Sequence, residues 1–159
     1  TSERGTTRIR PMPRFAIGSD HAGFALKAVV VDHLRSLGHD VDDLGTHDTE
    51  RVDYPDFGAA VGRSVADGST DLGICVCGSG IGIAIAANKV PGVRAATIHD
   101  ATSGRLAREH NDANVICLGE RLLGEQVALD AVDAFVEARF EGGRHAGRVA
   151  KLDALLPQD

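Results

Sequence analysis

A cysteine stands at the mouth of a glycine-rich turn in Cys77-Gly-Ser-Gly-Ile-Gly82. Glycines at 78, 80 and 82 let the main chain turn sharply and approach a ligand closely, presenting several amide N–H groups. The helix expected to follow aims the positive end of its dipole at the same place. Such a turn holds a phosphate, or an oxyanion born during a reaction, and a thiol beside it is favoured as the reactive thiolate. The plain structural alternative is that Cys77 is a small buried hydrophobe closing a strand. A dinucleotide fingerprint, with Asp100 as the ribose ligand, fails on spacing: glycines at 78 and 80 require a third near 83, which is Ile83.

Three further groups carry charge or titrate in suggestive places. Asp20-His21 follows an apolar run and precedes a helical one; Asp20 either caps that helix or bonds the hydroxyls of a sugar, with His21 meeting a hydroxyl or phosphate. His110-Asn111 closes a helix just before the last strand, loosely at the same edge as the other candidates, and a histidine there is either a dipole partner or a chemical group. Arg144 and Arg148, four residues apart, share one helix face. They either grip one phosphate with planar, charge-assisted hydrogen bonds or form a solvated basic face, and Arg121 is open to the same two readings. His33, His39, His47 and His99 have no comparable setting.

The elements that must position these residues alternate. Strands are expected at 14–18, 41–44, 72–77, 93–98 and 115–118, and helices at 22–37, 55–66, 82–89, 101–109, 124–140 and 144–156. Leu26, Val30, Leu34 and Leu37 recur at helical spacing, Gly38 supplies a stop, and Pro55 suits a first turn. The continuous apolar run 72–77 reads as a strand buried on both faces, with Cys75 and Cys77 pointing the same way. This alternation implies a single α/β domain, a Rossmann-like three-layer sandwich with a five-stranded parallel sheet between helices. The expected strand order is the flavodoxin-like 2-1-3-4-5, whose winding reverses between strands 1 and 3. Asp20-His21 and the 77–82 turn then face each other across one crevice. Residues 1–13 read as a disordered tail or an expression remnant, and 14–159 as the working domain.

Composition narrows the function. The 159 residues carry 17 basic and 23 acidic side chains, a net charge of −6, with 4% aromatics and no Trp. A nucleic-acid or anionic-membrane binder needs the opposite balance, whereas a few converging arginines can still hold a small anion. The three cysteines show no metal-ligand spacing and read as free thiols in a reducing, cytoplasmic compartment. The polar, Arg-rich start lacks the apolar stretch of a signal peptide, and no apolar run approaches membrane-spanning length.

From about 15 to 156 the chain resembles the type B ribose-5-phosphate isomerases, in the group that includes galactose-6-phosphate isomerase subunits. The resemblance rests on Gly18-Ser-Asp-His-Ala-Gly-Phe24, Asp53-Tyr-Pro55, Cys77-Gly-Ser-Gly-Ile-Gly82 with Ala86-Ala-Asn-Lys89, His110-Asn-Asp112, and Gly142-Gly-Arg-His145 with Arg148. It implies a cofactor-free, metal-free aldose–ketose isomerase interconverting ribose 5-phosphate and ribulose 5-phosphate. Cys77 would move the proton, Gly78, Ser79, Gly80, Ile81 and Gly82 would hold the enediolate, and His110 would open the furanose ring. Asp20, His21, Asn111, Arg121, Arg144 and Arg148 would contact substrate, and Tyr54 would lie near. Some similar enzymes use a glutamate where Ile83 stands; here only the thiol can serve. The resemblance also implies a homo-oligomer, dimer or tetramer, with sites at the subunit interface and the C-terminal helix in the contact. Another sugar phosphate, such as allose or galactose 6-phosphate, and a non-catalytic sugar-phosphate-binding module are the alternatives.

Overall fold

The computed structural model describes residues 12–157. Along them run β1 (Phe15–Ser19), α1 (Phe24–Ser36), β2 (Val41–Asp43), α2 (Tyr54–Ala66), β3 (Leu72–Cys77), α3 (Gly82–Asn88), β4 (Ala95–Thr97), α4 (Ala101–Asn111), β5 (Val115–Gly119), α5 (Glu125–Glu137) and α6 (Arg144–Ala154). A 3-10 turn, His21–Gly23, leads into α1, so the helix expected from 22 begins as a tight turn. Residues 1–11 of the expected tail lie outside the described residues. Pro13 is buried, with its carbonyl 3.2 Å from His39 Nδ1.

Local chemistry explains the main elements. β1 and β3 are buried along their whole length, as strands covered on both faces must be. Pro55 sits in the first turn of α2, where its missing N–H costs no helical bond. Asp100 and Ser103 satisfy each other's main-chain amides in a capping box that starts α4.

All strand pairs are parallel, in the order β2-β1-β3-β5-β4. The expected 2-1-3-4-5 order is therefore corrected at its far side: β5 lies against β3, and β4 is outermost. Burial accounts for the exchange. β5 offers Val-Ile-Cys-Leu-Gly, buried throughout, whereas β4 keeps only Ala-Ala-Thr, half-buried. A central position suits the strand that is apolar on both faces.

The reversal of winding between β1 and β3 stands as expected. Moving leftward from β1 to β2 and from β4 to β5, the chain crosses by α1 and α4; moving rightward, it crosses by α2 and α3. Right-handed crossovers then require α1 and α4 on one face and α2 and α3 on the other. The two apolar clusters agree. One joins Phe15, Ile17, Ile74, Val76, Ile116 and Leu118 to α1, α4 and α5; the other joins Ala16, Cys75, Cys77, Val115 and Cys117 to α2 and α3.

Two side chains secure the periphery. Asn88, at the end of α3, uses its carboxamide on the open side of β4, accepting from Ala95 N at 2.8 Å and donating to Ala95 O at 2.9 Å. Helix α6 is tied back by Arg94, which reaches Asp112 at 3.3 Å and Asp153 at 3.1 Å. Its end nevertheless leaves Leu152, Leu155 and Leu156 exposed, Leu155 by 82%. They border a largely apolar cleft of about 410 Å³ beside β4. Among the described residues no helix is long and apolar enough to cross a membrane.

Candidate active site

At the carboxyl edge of the sheet the main chain leaves β3 through the glycine turn. Cys77 Sγ accepts a hydrogen bond from the Gly80 amide at 3.1 Å, and Ser79 Oγ accepts from Ile81 N at 3.2 Å. The amides of Gly78, Ser79 and Gly82 have no hydrogen-bond partner among the described residues, which leaves them for an anion. Cys77 keeps 4% of its surface, while Cys75 and Cys117 on the same sheet face keep none. Of the three thiols it alone keeps any exposed surface.

Neighbouring loops close on this turn. Gly80 has φ of +74°, and a Cβ there would come within 2.9 Å of the Leu118 carbonyl carbon, so only glycine fits without strain. The chain leaving β5 hydrogen-bonds along the turn, Glu120 N to Cys77 O at 2.9 Å and Arg121 N to Gly78 O at 3.0 Å. The Arg121 guanidinium lies over Gly78, 3.1 Å from where a Cβ would stand. This proximity follows from the corrected strand order, because a β5 at the edge would carry Arg121 away from β3.

Asp20 and His21 approach from β1. Asp20 is 6% exposed, and its Oδ1 accepts from Gly23 N at 3.1 Å as the cap of the 3-10 turn. The capping alternative is thus realised on one carboxylate oxygen. His21 Nδ1 lies 3.2 Å from both the amide and the carbonyl of Val52. With the amide donating, Nδ1 is the acceptor and Nε2 carries the ring proton. Both residues line a cleft of about 510 Å³ with the 51–56 segment. Tyr54 connects this cleft to the turn, since its ring sits 2.6 Å from where a Gly82 Cβ would be. Gly23 packs as closely on the end of β3, where a Cβ would lie 2.8 Å from Val76 Cγ1. The two stretches expected to share a crevice leave neighbouring strands at the same edge, while the cleft itself is lined by Asp20, His21 and 51–56 and not by the turn.

The remaining candidates are elsewhere. Helix α4 runs antiparallel to the strands, so His110 and Asn111 lie at the amino edge, beside Asn114, whose carbonyl pairs with Gly73 at the start of β3. The expectation of a loose place at the carboxyl edge is corrected accordingly. A strand of this length separates the two edges by roughly 17 Å. Arg144 and Arg148 open α6, which is joined to the end of α4 by Glu141 N to Glu109 O at 3.0 Å. The His110 ring stacks on His145, with centroids 4.4 Å apart and planes at 15°. Within one chain the candidates therefore fall into two separate groups: Asp20, His21, the 77–82 turn and Arg121 in one, and His110, Asn111, Arg144 and Arg148 in the other.

His145, without an assigned role in the sequence, is 6% exposed, and its Nε2 has no hydrogen-bond partner. Burial holds its imidazole below the ordinary range, and Arg144, His110 and Arg148 add to that, against the opposing pull of Glu141. His110, Glu141 and His145 bring ligand atoms within 4.8 Å of one another, the one such grouping among the described residues. The stacked rings do not aim their in-plane lone pairs at a common point, and the two arginines disfavour a cation. Sequence reasoning gives His145 no role and Tyr54 only a place near the candidates. For Tyr54 the Asp53-Tyr-Pro55 pattern was the available signal, and His145 had Arg144 beside it.

Comparison with known proteins identifies the family. Residues 15–152 match the family model for ribose/galactose isomerases. The chain is 46% identical over 144 residues to ribose-5-phosphate isomerase B of Escherichia coli, an overlap of 91% of this chain and 97% of that one. It is 40% identical over 145 residues to the galactose-6-phosphate isomerase subunit LacB of Clostridium acetobutylicum, covering 91% and 84% of the two chains. The ribose-5-phosphate isomerase B of Clostridium thermocellum superposes with a TM-score of 0.88 at 52% identity, over 89% of this chain and 96% of that one. A Mycoplasma genitalium ribose-5-phosphate isomerase B with bound ribulose-5-phosphate gives 0.86 at 42% identity, over 89% and 95%. With nearly its whole length matched in sequence and in fold, the chain belongs to the ribose/galactose isomerase family, among the type B ribose-5-phosphate isomerases, and is an aldose–ketose isomerase.

Proposed function

We propose that this isomerase interconverts ribose 5-phosphate and ribulose 5-phosphate through an enediolate, with Cys77 as the proton-transferring base. The observation that carries the reading is the hydrogen bond from Gly80 N to Cys77 Sγ at 3.1 Å, beneath a turn with free amides and the Arg121 guanidinium. The amide donation favours sulfur as an anion, and the free amides offer preorganised donors to a second anion next to it.

The steps balance without an added redox group. Cys77 thiolate takes the proton from C2, and the C2–H electron pair becomes the C1=C2 bond of the enediolate. The thiol then returns the proton to C1, while a hydroxyl proton passes from O2 to O1. Asp20, with one oxygen committed to Gly23, has its second oxygen for that transfer. His110 opens the furanose ring beforehand, Asn111 and His21 bind the sugar, and Arg144 and Arg148 hold the phosphate. No metal enters these steps.

His110 and the two arginines cannot meet Cys77 within one chain, so the complete site is shared between two copies, as a homodimer or within a tetramer. The exposed leucines that end α6 give a second copy an apolar surface to cover. The three free thiols fit a cytoplasmic setting.

A second substrate class is favoured by one observation, the 40% identity to a galactose-6-phosphate isomerase subunit. A panel of ribose 5-phosphate, allose 6-phosphate and galactose 6-phosphate, assayed for the ketose, decides between them. In the same assay Cys77→Ser should lower kcat by about 10²–10⁴-fold, the worth of a positioned acid–base group, with thermal unfolding unchanged. A Cys77→Ser enzyme that keeps most of its turnover removes sulfur from the mechanism, and no activity on any sugar phosphate would leave a binding module.

A further inference from the structure

We propose that Thr97 is a positioning residue for Cys77, acting through Gly80. Thr97 is the last residue of β4 and pairs in register with Cys117 of β5. From there its Oγ1 reaches past β5 and donates to the Gly80 carbonyl at 2.7 Å. The amide of that same Gly80 donates to Cys77 Sγ at 3.1 Å.

A glycine has no side chain to fix its orientation, and its main chain is the freest of any residue. What Gly80 does with its N–H depends on what holds the rest of it. On one side the β5 main chain stands so close that a Cβ would lie 2.9 Å from Leu118 C and 3.1 Å from Gly119 N. On the other, the Thr97 hydroxyl takes the carbonyl. These two restraints keep Gly80 at φ of +74°, and in that conformation its amide points at the sulfur. Two hydrogen bonds in series therefore connect an edge-strand hydroxyl to the reactive thiol. Thr97 makes no contact with the sulfur and supplies no proton; it sets how much of the sulfur is held as an anion.

The expected kinetics rest on Cys77 being the base; the expected change in thiolate absorbance does not. Thr97→Val keeps the shape and strand preference of the side chain and removes the donor; Thr97→Ser keeps the donor. Ultraviolet absorbance of the thiolate near 240 nm, at a fixed pH of about 8 with Cys77→Ser as the blank, counts ionised Cys77 irrespective of access. Thr97→Val should lower that signal roughly threefold or more, the effect of one ordinary hydrogen bond. It should lower kcat by a similar factor while KM for ribose 5-phosphate stays within about twofold. Thr97→Ser should restore both. A valine variant with wild-type thiolate absorbance, or a loss that serine does not restore, or a change in KM or unfolding temperature alone, overturns the proposal. If Cys77→Ser itself stays active, the base assignment fails, and the absorbance of Thr97→Val still decides the relay.

Discussion

His145 shows how a single buried side chain makes stability depend on pH. Its imidazole is held below the ordinary range chiefly by burial, with Arg144, His110 and Arg148 contributing and Glu141 opposing. An unfolded histidine binds its proton near pH 6.5, so below that pH the unfolded chain carries more protons than the folded one. Stability then falls as pH falls, and the contribution is complete only above about 6.5. The unfolding temperature should drop more steeply between pH 7 and 5 in the wild type than in His145→Phe, which keeps a ring against His110 without titrating. Parallel curves would assign the slope to other groups. Asp43 does not blur this window. Burial raises its carboxyl, but the Lys27 and Gly45 hydrogen bonds outweigh that and hold it below its usual value, so its contribution is lost only below about pH 4.

At this scale the 77–82 turn was legible because glycines and a cysteine at close spacing announce their own geometry. Asp20 and His21 were legible because they end a recognisable strand. Thr97 was not. Its partner is 17 residues away on a loop that folds back over another strand, and nothing in an Ala-Ala-Thr strand distinguishes a hydroxyl that buttresses a turn from one that faces water.

At the level of elements, the decisive arrangement is β5 between β3 and β4. Gly119, its last residue, is in register with Cys77, and a Cβ there would stand 2.6 Å from both the carbonyl carbon and the oxygen of Ser79. Gly119→Ala should push the turn off its seat. The expected result is at least a tenfold loss of kcat, with a stability cost of about 1–3 kcal/mol from overpacking, read by steady-state kinetics and denaturant unfolding. A variant with unchanged kcat would show that the turn tolerates displacement. The strands themselves were readable from apolar runs and turn residues. Their order was not, because a run such as Val-Ile-Cys-Leu and one such as Ala-Ala-Thr compete for the same neighbour, and that competition is settled by burial across the whole sheet.

For the molecule as a whole, the separation of Cys77 from His110 yields a mixing test of the proposed site. Cys77→Ser and His110→Asn should each be inactive alone. If sites form between copies, a re-equilibrated equal mixture contains hybrid dimers with one intact site and one doubly broken, and should recover about a quarter of wild-type activity. Two variants that stay inactive together would place the whole reaction within one chain. A site shared between copies is suggested in the sequence only through family resemblance; what supports it physically is the direction of α4, which carries His110 to the far edge from Cys77.

Asn88 also guards the open edge of the sheet at β4. Because Asn88 occupies both the N–H and the C=O of Ala95, the first outward-facing rung of β4 is closed to an incoming strand. Sheet extension from this edge has one fewer place to begin. A short strand with its first rung taken is a poor template for the edge-to-edge stacking that builds fibrils.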